Sequence, residues 1–468
     1  MSFQKFRKLS TRPLILLPSR KREGSQADRG QEVHWPGMTP AGAAAKAQAA
    51  LQALKDGRAR GFLRRITPGL VTGAADADPS LVLTATVAGA IFGYSLLWVV
   101  LLCVPLLLAV FTVTARIGHQ TRRGLVHLLR EHYGPPIAMG CAAVIVIINF
   151  AMIIADLMAV SDALSIILDQ QRIFFVAAVA FSVWYILIFG DYHKITHALA
   201  FISLPLFVYV VAAVMAKPPL GQVVVNTLVP RITGNPHYTE AIVAIFGSLL
   251  TPYILVWQTS SRREQASAGA ELHASEHRTG TFVTTILCFS IMVAAARVLK
   301  PTLANATSLE WTTRTAAQAL TPAAGDWGVE LFAIGIIGSG LVALPVLVAS
   351  LCYSVSEAMG WKSGLSENPW DARRFYVLIS AGLLLAGALN FVDINPLKAL
   401  YWSQFLAGVL TVPILIFILI LSNDRRVMRQ VNTRWQNFWI GAAVGALAAL
   451  GLLLLWLKIS AKLFTAAV

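Results

Sequence analysis

Charge is scarce in this chain of 468 residues. Asp, Glu, Lys and Arg make up 13% of it, against 56% hydrophobic residues. A soluble protein carries roughly twice that share of charge, so a large water-exposed domain is excluded. The four cysteines, Cys103, Cys141, Cys288 and Cys352, all fall inside apolar runs. Their spacing suits neither a disulfide framework nor a metal site, and they read as small buried hydrophobes. The nine histidines are scattered. His193 and His197 lie four apart, as do His273 and His277, but neither pair has a third ligand near it, which argues against zinc. The chain has no His-Glu-x-x-His, no Gly-x-Gly-Asp and no Walker loop, so neither an enzyme nor a bound cofactor is indicated. The connections between apolar runs leave no room for a signalling domain.

What charge there is falls in particular places. The net charge of +15 is concentrated in the first 65 residues, which hold 14 of the 38 basic side chains. The rest sit mostly between apolar runs. Membrane orientation and attraction to anionic headgroups explain that better than nucleic-acid binding does. Residues 1–60 read as a basic, disordered cytoplasmic extension, and residues 61–468 as a transmembrane domain.

About 20 apolar residues cross a bilayer core. Eleven segments qualify, at about 66–92, 94–115, 136–164, 173–190, 196–216, 238–261, 279–299, 328–358, 375–392, 396–421 and 436–457. With the N-terminal extension inside the cell, 29 basic residues fall on the inner side and 9 on the outer. The positive-inside rule favours this orientation, and the odd count puts the C-terminus outside. A multi-pass protein of the cell membrane is expected, in contact with lipid and not with nucleic acid.

Two of the segments are broken at their centres. One reads Gly73-Ala74-Ala75-Asp76-Ala77-Asp78-Pro79-Ser80, the other Ser248-Leu249-Leu250-Thr251-Pro252-Tyr253. Proline removes a backbone donor and clashes with the preceding turn, so each helix opens there. Carbonyls freed at membrane depth persist only where they line a cavity or hold a ligand. A carboxylate at that depth costs about 2.5–3.5 kcal/mol on insertion scales. The breaks open the first and sixth segments, and five segments per half invert the second half relative to the first. Such paired breaks mark a secondary transporter of the LeuT type with its site at the midplane, here with an eleventh helix appended. The carboxylates point to a cation.

Here the residues reach a known family. Thr67-Pro68-Gly69-Leu70, Ala75 and Asp78-Pro79-Ser80 resemble the first-helix motif of the Nramp divalent-metal transporters, which carry Gly-Pro-Gly and then Asp-Pro-Gly-Asn. Glu357-Ala358-Met359-Gly360-Trp361, Gly364-Leu365 and Ser403-Gln404 are further echoes, and the resemblance spans residues 66 to 430. It implies an all-helical transporter whose substrate is a divalent metal ion. The chain also departs from the family. Leu81 stands where the family has a ligating Asn. Ser248-Leu249-Leu250-Thr251-Pro252-Tyr253 replaces Ala-x-x-Met-Pro-His, so Thr251 stands for the Met and Tyr253 for a His. Gln258 falls at a second His. Asp156 matches the third-helix Asp, but Ala159 replaces the following Glu. This pattern resembles the magnesium-associated branch more than the proton-coupled manganese and iron branch.

Donor chemistry leans the same way. A thioether selects soft transition metals, whereas carboxylate, carbonyl and hydroxyl groups suit Mg²⁺, Ca²⁺ and Mn²⁺. The expected ion shell is Asp78 and Asp76, the freed carbonyls of Ala75 and Ser248, the Thr251 hydroxyl and the Gln404 amide. Each has a plainer reading. Asp78 could simply cap the following half-helix, Asp76 could pair with a base, Thr251 could satisfy a loose carbonyl, and Gln404 could bond a neighbouring helix. Asp156 is either a proton or ion relay or half of a structural pair. Glu357 and Arg374 read as structural residues at inner helix ends. Gly335, Gly338 and Gly340 suggest close helix approach.

The expectation is a transporter or uniporter of divalent cations, Mg²⁺ first and Mn²⁺ next, working by alternating access with weak or no proton coupling. Proton-coupled Mn²⁺/Fe²⁺ transport and carriage of another solute on the same scaffold remain alternatives. A metal sensor or an intramembrane enzyme is the reading from a different class. Oligomeric state is not encoded in any recognisable way.

Overall fold

Proline starts five of the helices in the computed structural model, which describes residues 77–190, 204–233, 235–261, 274–304, 313–392 and 395–466. The extension expected over residues 1–60 lies outside the described residues, as do Ala75, Asp76, His193, His197 and His273. The helices are α1 Pro79–Phe92, α2 Leu97–Thr121, α3 Leu125–Tyr133, α4 Pro135–Leu168, α5 Ile173–Phe189, α6 Val208–Met215 and α7 Leu220–Leu228. They continue as α8 Pro236–Leu249, α9 Pro252–Ser260, α10 Ala274–Ala304, α11 Gly328–Met359, α12 Arg373–Leu389, α13 Pro396–Asn423 and α14 Arg434–Ala466.

The starts follow from local chemistry. The first amide of a helix has no partner, so proline loses nothing at that position. The residue before it is driven extended and can cap. Asp78 accepts from the Leu81 amide, Asn235 from His237, and Asn395 from Leu397 and Lys398. Thr251 occupies the same place before Pro252 but makes no capping bond.

Seven stretches among the described residues are long and apolar enough to cross a bilayer. The first, Pro79–Thr121, carries two predicted segments joined by a tight turn at Gly93–Leu96. Helices stand at all eleven predicted segments, although of the first only residues from 77 onward and of the fifth only residues from 204 onward are described. One expectation needs correcting. The sequence after residue 216 reads as an outer loop, yet α7 forms there, bent by 114° from the helix before it. Lys217 adopts a left-handed φ of 48°, and Pro218-Pro219 prevents the first helix from continuing.

Contacts sort the turns into two sets. At one end Arg116 bonds Gln436 and Asn432, and the Gln120 side chain accepts from the Arg429 amide. At the other end the Tyr238 hydroxyl donates to the carbonyls of Ser95 and Arg231, and Arg297 donates to that of Ala216.

The described parts of the first and sixth segments lie at the centre. Nearly all of α1 is buried, as is the most apolar part of α8 and α9. Around them α4 packs along α11, α10 along α1, and α13 along α8. Lipid tails are as apolar as leucine, so such contacts depend on close packing more than on escape from water. Gly247 shows how close: a Cβ there would collide with the Gln404 carbonyl and the Gly408 amide of α13. At Gly340 a Cβ would press on Val160 of α4 and on Pro79 at the first break. The close approach expected of the α11 glycines is present there, and at Gly335 against Leu206. All four cysteines are free and buried.

Candidate functional site

The second break is fully in view. Its two halves are separated by Leu250 and Thr251. Pro252 has no amide hydrogen, so the carbonyl four residues earlier, that of Ser248, loses its helical partner. The Ser248 hydroxyl donates back to the Ile245 carbonyl at 2.9 Å, which leaves the carbonyl as the group this residue can offer.

Asp78 is wholly buried at the N-terminus of α1. One carboxylate oxygen accepts from the Leu81 amide at 2.7 Å, and the other from the Tyr253 hydroxyl at 3.2 Å. Asp78 therefore does cap its helix, and it also faces the second break. Leu81 contributes only its amide, while its side chain is buried. Two residues past Asp78, the Ser80 hydroxyl donates to Asp156 on α4 at 2.6 Å. Asp156 is fully buried, and its second oxygen has no hydrogen-bond partner. A chain of polar contacts thus runs from Tyr253 on α9 through Asp78 and Ser80 on α1 to Asp156 on α4.

Other buried groups around the breaks are also unsatisfied. Both polar atoms of the Gln404 amide lack partners, as do the Gln258 carbonyl oxygen and the Thr251 hydroxyl. Each such group costs about 1–3 kcal/mol when left dry. The structure does not bring every expected ligand together. Ser248 and Thr251 line a cavity of about 10 Å³ with Leu107 and Phe111 of α2 and with Thr281 and Thr284 of α10. That is about the room of one water, and Asp78 is not among its walls. Gln404 lies on α13 where α8 crosses at Gly247. Among the described residues, no three His, Cys, Asp or Glu side chains converge in a way that could hold a metal.

Sequence reasoning took Tyr253 only as the loss of a histidine and missed its bond to Asp78. It also missed the link from Ser80 to Asp156 and the bond from the Asn149 amide to Ser350 at 3.0 Å. A signal for the second was present, because a buried carboxylate needs a donor and Ser80 is the hydroxyl beside the break. The structural readings of Glu357 and Arg374 agree with their contacts. Glu357 accepts from the Ser260 hydroxyl and the His127 amide, and Arg374 lies over the Trp361 ring.

The chain belongs to the Nramp family, natural resistance-associated macrophage protein-like, whose model matches residues 69–457. Its sequence is similar to the divalent metal cation transporter MntH of Deinococcus radiodurans, 26% identical over 414 residues, 85% of this chain and 90% of that protein. The MntH of Aeromonas hydrophila is 24% identical over 82% of this chain and 92% of its own length. The metal transporter NRAT1 of Oryza sativa subsp. japonica is 27% identical over 310 residues, 60% of this chain and 54% of the rice protein. Crystal structures of the Eremococcus coleocola manganese transporter share the fold, with a TM-score of 0.60 at 16% identity over 83% of this chain and 85% of theirs. These relatives are transporters and not enzymes. The architecture is the one expected, an all-helical multi-pass membrane protein of the LeuT type, with the second predicted break among the described residues.

Proposed function

We propose that this chain carries divalent cations across the membrane, Mg²⁺ first and Mn²⁺ second, by alternating access around the two breaks. The observation that carries the proposal is the fully buried Asp78 carboxylate, held between the first break and Tyr253 of the second. The relatives named as divalent metal cation transporters support the substrate class. Asp78 would be the central ligand, joined by Asp76 and by the freed carbonyls of Ala75 and Ser248. The Thr251 hydroxyl and the Gln404 amide, both buried without partners, would complete an oxygen shell. The metal is the substrate, and no resident cofactor is needed.

Oxygen donors and the lack of a multi-carboxylate cage among the described residues favour an ion that keeps part of its water. Mg²⁺ sheds water reluctantly and is held through one or two carboxylates. Ala159, Tyr253 and Gln258 stand where proton-relay groups would be, which favours weak or absent proton coupling. The membrane potential would then drive entry, at about 4.6 kcal/mol per 100 mV for a dication, twice the single-charge value. We place the arginine-rich end of the bundle in the cytoplasm on the positive-inside rule. Reconstitution in vesicles with a panel of divalent ions and a lumenal pH dye tests this reading. Uptake of Mg²⁺ and Mn²⁺ without acidification supports it; an inert protein, or uptake of other solutes only, refutes it.

A further inference from the structure

At the end of the bundle where α2, α3, α9 and α11 meet lies a cavity of about 270 Å³. Arg122, Arg123, Arg130 and His127 line it, with Trp361 on its wall. Three guanidinium groups around one opening are unsuited to a cation's path, since like charge raises the local potential against it.

Its charges are unequally committed. Arg123 pairs with Glu131, holding that carboxyl below its ordinary range. Glu357, the acidic residue in the lining, is engaged by the Ser260 hydroxyl at 2.7 Å and by the His127 amide at 3.1 Å near the start of α3. Helix N-termini stabilise negative charge, so Glu357 is held by fixed donors in place. Arg122 and Arg130 are different. Neither guanidinium has an acceptor among the described residues. Arg122 caps α2 in a left-handed conformation, φ 53°, with its side chain exposed at the opening. Arg130 is half-buried and lies against Gly360, where any Cβ would collide with the guanidinium. Gly360, at φ 69°, makes room for it. The result is a pair of forks facing one cavity with no acceptor among the described residues.

We propose that this cavity binds the phosphate group of an anionic ligand through Arg122 and Arg130. Guanidinium forks match phosphate oxygens two at a time. The position at one end of a membrane bundle makes the headgroup of an anionic phospholipid one source, and free phosphate the other. A zwitterionic headgroup fits poorly, because its cation would enter the same arginine-lined space.

The test uses the full-length protein in detergent and native mass spectrometry. Short-chain phosphatidylglycerol, phosphatidylcholine and inorganic phosphate are titrated against wild type and the double variant Arg122→Gln/Arg130→Gln. Arg425→Gln/Arg426→Gln removes the same charge from a different turn. A headgroup site predicts phosphatidylglycerol binding that weakens about 25-fold in the first variant, about fivefold per charge. It also predicts no change in the second variant and little binding of phosphatidylcholine. Binding of inorganic phosphate with the same dependence on Arg122 and Arg130, but none of phosphatidylglycerol, supports the site with free phosphate as its ligand. Equal loss in both variants, or no loss in either, overturns the proposal. Thermal melting of each variant without ligand separates misfolding from lost binding.

Discussion

Tyr253, on the first turn of α9, places its hydroxyl 3.2 Å from the Asp78 carboxylate at the head of α1. The bond joins the two breaks directly. The other oxygen accepts from the Leu81 amide. If Asp78 binds the ion as proposed, the phenol competes with the dication for the same carboxylate charge.

Tyr253→Phe isolates that competition. A hydrogen bond to a charged group contributes about 1.5–3 kcal/mol, and in the empty site it competes with the ion. The variant should bind Mg²⁺ and Mn²⁺ roughly tenfold more tightly, because a 1.4 kcal/mol change is a factor of ten. Isothermal titration of both proteins measures this. Equal or weaker binding in a folded variant would mean that the phenol assists the ion instead of opposing it.

Thr251→Met separates two roles for one residue. As a ligand, the new thioether would raise affinity for Mn²⁺ or Cd²⁺ relative to Mg²⁺, by about tenfold for 1.4 kcal/mol of differential binding. As a wall of the small cavity beside Leu107 and Phe111, Met would overpack it at a typical cost of about 1–3 kcal/mol. We expect the selectivity shift, read from competition of Mn²⁺ and Cd²⁺ against Mg²⁺. An unchanged ratio with a lower melting temperature would assign Thr251 to the wall.

Gly247→Ala should destabilise the fold without altering ion preference. The added methyl meets backbone atoms of Gln404 and Gly408, which cannot rotate away. Overpacking of this kind costs about 1–3 kcal/mol. Melting of the purified protein should fall by several degrees, and a variant as stable as wild type would show that α8 and α13 can part freely.

Proton movement is expected to be small. Ala159, Tyr253 and Gln258 leave Asp156 as the buried carboxylate facing the first break through Ser80. A pH dye trapped in vesicles should stay constant during Mg²⁺ uptake. Acidification proportional to uptake would make Asp156 the relay, and Asp156→Asn should then abolish it.

The parts of this molecule that were legible in sequence share one cause. Apolar length and proline position act locally, so the eleven segments, the break at Thr251-Pro252 and the cap at Asp78 could be read from short windows. The α7 helix was not, because nine residues ending at Leu228 give too short a signal to separate from a loop. Contacts across the bundle were illegible for a different reason. Tyr253 and Asp78 are 175 residues apart, and Ser80 and Asp156 are 76 apart. Only the packing of α1 against its neighbours brings them together. The side of the break that Thr251 faces depends on the rotation of α8 and α9, which no local pattern sets.

The most direct test of the account is divalent uptake by Asp78→Ala in proteoliposomes, measured beside wild type at equal reconstituted amount. Circular dichroism and melting would confirm that the variant is folded. The account predicts Mg²⁺ and Mn²⁺ uptake by wild type and none above empty vesicles by Asp78→Ala. Undiminished uptake by the folded variant would contradict it.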